Sequence, residues 1–138
     1  MISDISLKDL DSIENIGMLS LPIYYKQKEL KHLINNKCYL LHKITYFNNI
    51  SGFHISKLHN DRIHIMSISV HPEKRNNKLG TILLDHLKKY KLPITLFVQQ
   101  SNKIAIDFYR KNDFKVLKSI SNYYCNLECN HAYFMCYK

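Results

Sequence analysis

IHIMSISVHPEKRNNKLGTILLDHLKKY, residues 63–90, is the stretch that decides the fold, because it changes periodicity in the middle. Its first part alternates in the manner of a β-strand, with one face formed by His64, Met66, Ile68 and Val70. Pro72 interrupts the strand, and a basic turn follows it. From Leu79 the apolar residues recur at intervals of three and four, which predicts an α-helix.

A strand that enters a helix through a basic turn is a candidate anion site. The first amides of a helix have no partner within the helix, so they point at whatever lies at its N-terminus. Arg75 and Lys78 add positive charge to this turn, and we expect Gly80 to let a phosphate approach the backbone.

Composition sets the broad class of the protein. The chain has 138 residues and a net charge of +9, and we expect one domain over residues 1–138. Four cysteines are too few for a disulfide scaffold, and no signal peptide or transmembrane run is present, so reduced thiols and a cytoplasmic protein are expected. The positive charge is compatible with a nucleic-acid surface, but a general bias toward lysine and asparagine explains it better.

The rest of the chain supplies helices at residues 7–19, 27–35 and 102–112, and strands at residues 38–46, 50–58, 94–99, 115–120 and 132–137. Ser6, Ser101 and Asn102 are candidate N-caps. We expect the histidines at positions 54, 59 and 86 to lie at the surface.

The turn after the strand resembles the acetyl-CoA motif of the GNAT superfamily of N-acetyltransferases, whose core is Arg/Gln-x-x-Gly-x-Gly/Ala. The residues that carry this resemblance are Val70, Pro72, Arg75, Leu79, Gly80 and Thr81. Lys78 departs from the motif, which has glycine at that position. If the position requires a positive φ, lysine would cost about 1 kcal/mol there.

Four further segments extend the resemblance over nearly the whole chain: LPIYYKQKE (21–29), IHIMSIS (63–69), VQQSNKIAIDFYRKNDF (98–114) and SNYYCN (121–126). Their order is similar to that in the catalytic subunits of type E N-terminal acetyltransferases, which acetylate proteins that begin with methionine and an apolar residue. The resemblance implies an α/β (α+β) fold with a mixed, mostly antiparallel central sheet and helices on both faces. It also implies acetyl-CoA as the acetyl donor.

The resemblance implies a set of cofactor-binding residues on the strand, the basic turn and the later helix. They are Ile68, Val70, Arg75, Asn76, Asn77, Lys78, Leu79, Gly80, Thr81, Asn102, Tyr109 and Lys111. The turn would bind the pyrophosphate, and the strand edge would bind the pantetheine arm and stabilise the oxyanion. Tyr109 would protonate the departing thiolate or orient the cofactor; it can instead be an ordinary core aromatic.

This chain differs most from the resembled enzymes at the positions of the catalytic base. The resembled enzymes hold an ordered water between a tyrosine and a histidine, and the matching positions here are His64 and Phe97. Phenylalanine cannot relay a proton, whereas a histidine is the side chain most often used as a general base. We expect His64 to replace the pair; the alternative is that His64 only packs and the base has been lost.

Two clusters would form a pocket for the peptide substrate: Leu21, Pro22, Ile23, Tyr25, Met66, Tyr123 and Tyr124. Apolar side chains would bury a methionine, and tyrosine hydroxyls would bond the peptide backbone. The alternative is ordinary packing of a hinge.

The remaining candidates are weaker. Cys125, Cys129, His131 and Cys136 do not have the spacing of a standard zinc site, so we expect no metal. We expect a monomer that binds an N-terminal peptide, but neither a membrane nor a specific nucleic acid; a ribosome or a scaffold subunit is a possible partner. Acetylation of lysine side chains or small amines, and a catalytically dead peptide binder, are the alternative functions.

Overall fold

The computed structural model describes residues 1–124 and 130–138. The strands are β1 (Ile2–Asp4), β2 (Tyr39–Tyr46), β3 (Asn49–Leu58), β4 (Ile63–Val70), β5 (Ile94–Gln99), β6 (Lys115–Ile120) and β7 (Ala132–Tyr137). The helices are α1 (Leu10–Ser20), α2 (Gln27–Ile34), α3 (Leu79–Lys88) and α4 (Lys103–Lys111). Short 3₁₀ turns at Leu7–Asp9 and Pro72–Lys74 precede α1 and follow β4.

The strands form one sheet in the order β1-β2-β3-β4-β5-β7-β6. Every neighbouring pair is antiparallel except β4 and β5, which are parallel. Helices α1 and α2 pack on one face, where the buried residues include Leu10, Leu30 and Phe53. Helices α3 and α4 cover the other face, over a core that includes Leu84 and Ile106. The predicted fold class is therefore confirmed.

Strand β4 contains a β-bulge that the sequence pattern did not predict. Ser67 pairs with Ile55 and Ile65 pairs with Ser56, so Met66 is an extra residue on β4. Met66 packs with the α1–α2 core, whereas Ile68 packs with the α3 side. The predicted strict alternation of His64, Met66, Ile68 and Val70 is therefore wrong at Met66, because a bulge shifts the phase of the strand.

The pairing of β4 with β5 is short. It covers Ile63, His64 and Ile65 on β4, opposite Ile94, Thr95 and Leu96 on β5. Beyond these residues the structure records no ladder between the two strands, so from Met66 onward β4 presents an edge toward β5. This divergence opens the cleft described below.

The helices and strands predicted from the sequence are all present, with one addition. Strand β1 was not predicted, because three residues are too few to show a period. It pairs with β2, where Ile2 lies opposite Ile44. Among residues 1–124 and 130–138, no helix combines the length and the apolar composition that crossing a bilayer requires.

A hydrogen-bonded row of buried polar side chains crosses two neighbouring strands, β2 and β3. His42 Nδ1 lies 2.8 Å from His54 Nε2, and His54 Nδ1 lies 2.9 Å from Ser56 Oγ. The His86 ring of α3 packs edge-on against His42, with 4.8 Å between ring centroids. His54 is 0% exposed, so the expectation that it lies at the surface is wrong. Burial, with smaller effects from His42 and His86, lowers the pKa of His54 to about 3.

Lys78 lies in the left-handed region, with φ of 59° and ψ of 20°. Because lysine has a Cβ, this conformation is strained by about 1–2 kcal/mol. Glycine adopts it freely but loses more chain entropy on folding. We therefore predict that Lys78→Gly raises the free energy of unfolding by about 0.5–1 kcal/mol. Urea unfolding measures this, with Lys89→Gly at the right-handed C-cap of α3 as the control; an unchanged or lower stability of Lys78→Gly would contradict the prediction.

The buried histidines predict loss of stability in acid. The unfolded chain takes up a proton on His54 below about pH 6.5, whereas the folded protein does not until about pH 3. The free energy of unfolding should therefore fall by up to about 1.4 kcal/mol per pH unit between these values from this residue alone. Urea unfolding at pH 7.5 and 5.5 measures this slope, which should be smaller in His54→Gln than in the exposed control His32→Gln. Equal slopes in the two variants would refute it.

Candidate active site

The divergence of β4 and β5 opens a cleft of about 360 Å³. The loop between α1 and α2 forms one wall, and α4 and the end of the β6–β7 loop form others. The lining residues are Leu21, Pro22, Ile23, Tyr24, Tyr25, Glu29, Ile65, Met66, Ser67, Ile68, Leu96, Phe97, Val98, Gln99, Asn102, Ala105, Tyr109 and Tyr124. The described lining is thus mainly apolar, with tyrosine hydroxyls, and Glu29 is its single carboxylate.

Most of the predicted peptide and pantetheine residues meet in this cleft. They are Leu21, Pro22, Ile23, Tyr25, Met66, Ile68, Asn102, Tyr109 and Tyr124. Tyr123 does not line it, but its ring stacks on Phe97 with 4.4 Å between centroids. Asn102 is also the N-cap of α4, since its Oδ1 accepts the Ala105 N–H at 3.1 Å.

Several lining residues were not predicted: Tyr24, Glu29, Ile65, Ser67, Leu96, Phe97, Val98, Gln99 and Ala105. The sequence predicted β5 as a strand, but no residue pattern signals that it separates from β4. Glu29 had a signal that was missed, since it lies within the segment 21–29 that carried the resemblance.

The cleft tyrosines are held in their protonated form. Burial, with a smaller effect from Tyr124, raises the pKa of Tyr109 well above its usual range. Burial and the neighbouring Tyr123 raise the pKa of Tyr124 to about 12. Burial and the carboxylate of Glu29 raise the pKa of Tyr25. At neutral pH these hydroxyls can donate hydrogen bonds to a bound molecule.

His64 lies beside the cleft but is not among its lining residues. Its Nδ1 shares a hydrogen bond of 2.8 Å with Thr95 Oγ1 on the parallel neighbour β5. Its ring packs edge-on against Phe97, which does line the cleft, with 5.4 Å between centroids. Burial, followed by the charges of Arg62 and His59, lowers the pKa of His64. The imidazole is therefore neutral at pH 7 and able to accept a proton.

The basic turn lies beyond the cleft, where β4 ends and α3 begins. Asn77 holds this turn together: its Nδ2 donates to the carbonyls of Lys74 and Arg75 at 3.0 and 3.3 Å. The Tyr46 hydroxyl donates to Asn77 Oδ1 at 3.3 Å. The side chains of residues 75–78 are exposed, so their charges and the first amides of α3 face solvent, where an anion can reach them.

Three predicted cofactor residues either pack in the interior or lie away from the cleft. A Cβ at Gly80 would lie 2.8 Å from Phe108 Cζ, so packing of α3 against α4 favours glycine there. The Leu79 side chain is buried in the core, which leaves its backbone for binding. Lys111 is exposed and lies off the face of α4 that lines the cleft. Val70 and Thr81 are half-buried at the two ends of the turn.

No metal site is found in residues 1–124 and 130–138, where no group of three or more His, Cys, Asp or Glu side chains is placed to hold an ion. Cys125 and Cys129 of the rejected zinc pattern lie outside the described residues. Cys38 and Cys136 carry free thiols.

Known proteins resemble this chain in both sequence and structure. Residues 6–114 match the model of the acetyltransferase (GNAT) family. N-alpha-acetyltransferase 50 of Danio rerio is 26% identical over 138 residues, which cover 92% of this chain and 81% of that protein. The probable N-acetyltransferase san of Drosophila melanogaster is 23% identical and covers 92% and 74%.

Solved structures show the same fold. Arabidopsis thaliana Naa50, bound to the bisubstrate analogue CoA-Ac-MVNAL, matches with a TM-score of 0.85 and 25% identity over 100% of this chain and 97% of that one. The ribosomal-protein-S18-alanine N-acetyltransferase of Escherichia coli matches with a TM-score of 0.87 and 24% identity over 99% and 92%. The predicted acetyl-CoA-dependent N-acetyltransferase class is confirmed, and the chain belongs to the acetyltransferase (GNAT) family.

Proposed function

We propose that this protein is an N-terminal acetyltransferase that moves acetyl from acetyl-CoA to the α-amine of peptides that begin with methionine and an apolar residue. The observation that carries the proposal is the cleft between the diverging strands, whose outer wall is the apolar loop at residues 21–25. A chain end enters such a cleft more easily than a lysine on a folded surface does. The sequence similarity to the zebrafish and fly acetyltransferases supports the same activity.

The residues present fit acetyl-CoA. The open edge of β4 at Ile68 and Val70 offers backbone groups to an extended pantetheine arm, and Asn102 faces the same cleft. The pyrophosphate would lie at the basic turn, bound by the amides at the start of α3 and by the charges of Arg75 and Lys78. Asn76 and Asn77 would shape this turn, with Leu79, Gly80 and Thr81 contributing their backbone amides. When bound, acetyl-CoA supplies the thioester that the amine attacks.

The protein contributes hydrogen-bond donors where charge develops during transfer. The amide of Ile68 or a neighbour, at the unpaired edge beyond the Met66 bulge, would stabilise the tetrahedral oxyanion. Tyr109 would donate a hydrogen bond to the departing thiolate. Because its pKa is raised, it acts best as a fixed donor that orients the thioester and not as a group that gives up its proton.

The peptide would bind across the cleft from the cofactor. Leu21, Pro22, Ile23 and Met66 would bury the methionine side chain, which contributes by area removed from water. The protonated hydroxyls of Tyr25 and Tyr124 would donate to peptide carbonyls. Tyr123, stacked on Phe97, would position Tyr124.

His64 would take the proton from the attacking amine through a water that passes Phe97. The α-amine of a peptide has a pKa of about 7.7–8.0, so a weak base is sufficient. We further propose that residues 1–138 act as one monomeric cytoplasmic domain, with the ribosome or a scaffold subunit as the candidate partner.

The proposed function predicts which amine accepts the acetyl group. A peptide with a free Met-Leu N-terminus and no lysine should gain one acetyl group, and a peptide with a blocked N-terminus and an internal lysine should gain none. Intact-mass measurement after incubation with acetyl-CoA distinguishes the two. Acetylation of the lysine peptide alone would move the protein to the lysine acetyltransferases, and would make the proposed role of the loop at residues 21–25 wrong.

The proposed function also predicts that His64 is the general base. We expect His64→Ala to lower kcat at least tenfold, because general-base assistance is lost, while the Kd for acetyl-CoA changes little. In the wild type, kcat should fall as pH decreases through the lowered pKa of His64, since the protonated ring cannot accept a proton, and His64→Ala should lack this decrease. His32→Ala on the exposed face of α2 is the matched control. An unchanged kcat in His64→Ala would rule out the role.

A further inference from the structure

We propose that Glu29 is a specificity residue that favours peptides with arginine or lysine a few positions after the acetylated residue. This inference rests on the proposed N-terminal acetyltransferase function. It adds a preference for charge to the preference for an apolar second residue.

Glu29 differs from every other residue that lines the cleft. Among the lining residues of the described structure it is the only aspartate or glutamate, and none of the others is lysine, arginine or histidine. The other polar groups are hydroxyls of serine and tyrosine and side-chain amides of asparagine and glutamine, which carry no charge. A carboxylate in this position is therefore the dominant local charge for a bound peptide.

The backbone holds the Glu29 carboxylate in place. Glu29 is the third residue of α2, and its Oε1 accepts the N–H of Lys26 at 3.1 Å. The first turn of a helix favours a negative charge. No ion pair to Glu29 within 4.0 Å is found among residues 1–124 and 130–138, although Lys26 and Lys28 are its neighbours in sequence. The charge thus remains available to a ligand.

The position of Glu29 indicates which part of the peptide it meets. The transfer would occur deep in the cleft, near Ile68 and Tyr109, whereas Glu29 is exposed and lies in the first turn of α2, which follows Tyr25. An extended peptide advances about 3.3 Å per residue, so its later residues pass the mouth of the cleft. Glu29 would attract a cationic side chain there and repel an acidic one.

The overall charge of the protein sharpens the argument. A net charge of +9 produces a field that favours acidic peptides in general. A preference for cationic peptides would therefore have to come from a local negative group, and Glu29 is the one that lines the cleft among residues 1–124 and 130–138. Removing it should not only weaken the preference but also allow the surrounding lysines to favour acidic peptides.

The test compares peptides that begin Met-Leu and carry either arginine or glutamate at position 3 or 4. Arginine is used because its side chain is not acetylated, so every acetyl group reports the N-terminus. We expect the wild type to prefer the arginine peptide by about three- to tenfold in kcat/KM at one of these positions, and the preference to decrease at 0.5 M NaCl. Glu29→Gln should bring the ratio to one or below. The glutamine side-chain oxygen can still accept the Lys26 N–H, so the cap of α2 is kept.

Asp107→Asn is the matched control, because it removes one exposed carboxylate of α4 that does not line the cleft. Its preference for arginine should equal that of the wild type. Equal acetylation of arginine and glutamate peptides by the wild type, or a preference that persists in Glu29→Gln, would overturn the inference about Glu29. Either result would leave the proposed N-terminal acetyltransferase function standing. Failure of the wild type to acetylate either N-terminus would overturn the proposed function and, with it, the inference.

Discussion

The short pairing between β4 and β5 is the constraint on which the site depends. Three residue pairs join the strands and set their parallel orientation, and then the strands separate. If the ladder continued, the amides of β4 beyond Met66 would bond β5, and neither a cleft nor free donors would exist. The bulge at Met66 adds to this effect by turning that side chain toward α1 and α2, where it lines the cleft. The short ladder and the bulge of β4 thus shape the cleft together.

Elements long enough to repeat their helix or strand period were predictable from the sequence. Features set by one or two tertiary contacts were not. The four helices and the strands β2 to β7 have enough residues to show a period, and the resemblance implied that they form a mixed sheet with helices on both faces. The Met66 bulge and the separation of β5 depend on pairing between strands, which a single sequence does not record. His54 was misplaced because a polar residue in a strand normally faces solvent; here it is satisfied by His42 and Ser56.

The glycines of this chain lie at close-packed positions, and its left-handed turns are made by other residues. A Cβ at each of its three glycines would meet a neighbouring atom at 2.8–3.0 Å, and at Gly52 that atom is the backbone oxygen of Ser69, so close packing favours glycine at these positions. None of them lies at a positive φ, and left-handed turns are made by asparagine, aspartate, lysine and phenylalanine instead. At the basic turn this gives Lys78 two properties at once. Its backbone is strained, but it places a cation at the start of α3, where a phosphate would be bound.

Phe97 stands where the resembled enzymes have a histidine, and its contacts bear on the proposed role of His64. Its ring stacks on Tyr123 and contacts His64, so it links the wall of the cleft to the loop before β7. A histidine would supply a second proton acceptor but a more polar and less favourable stacking partner. Near physiological pH about a tenth to a third of peptide α-amines are already neutral, given their pKa of about 7.7–8.0. The attacking amine therefore needs little help before bond formation, and one neutral imidazole behind an aromatic wall is chemically sufficient to receive the proton afterwards.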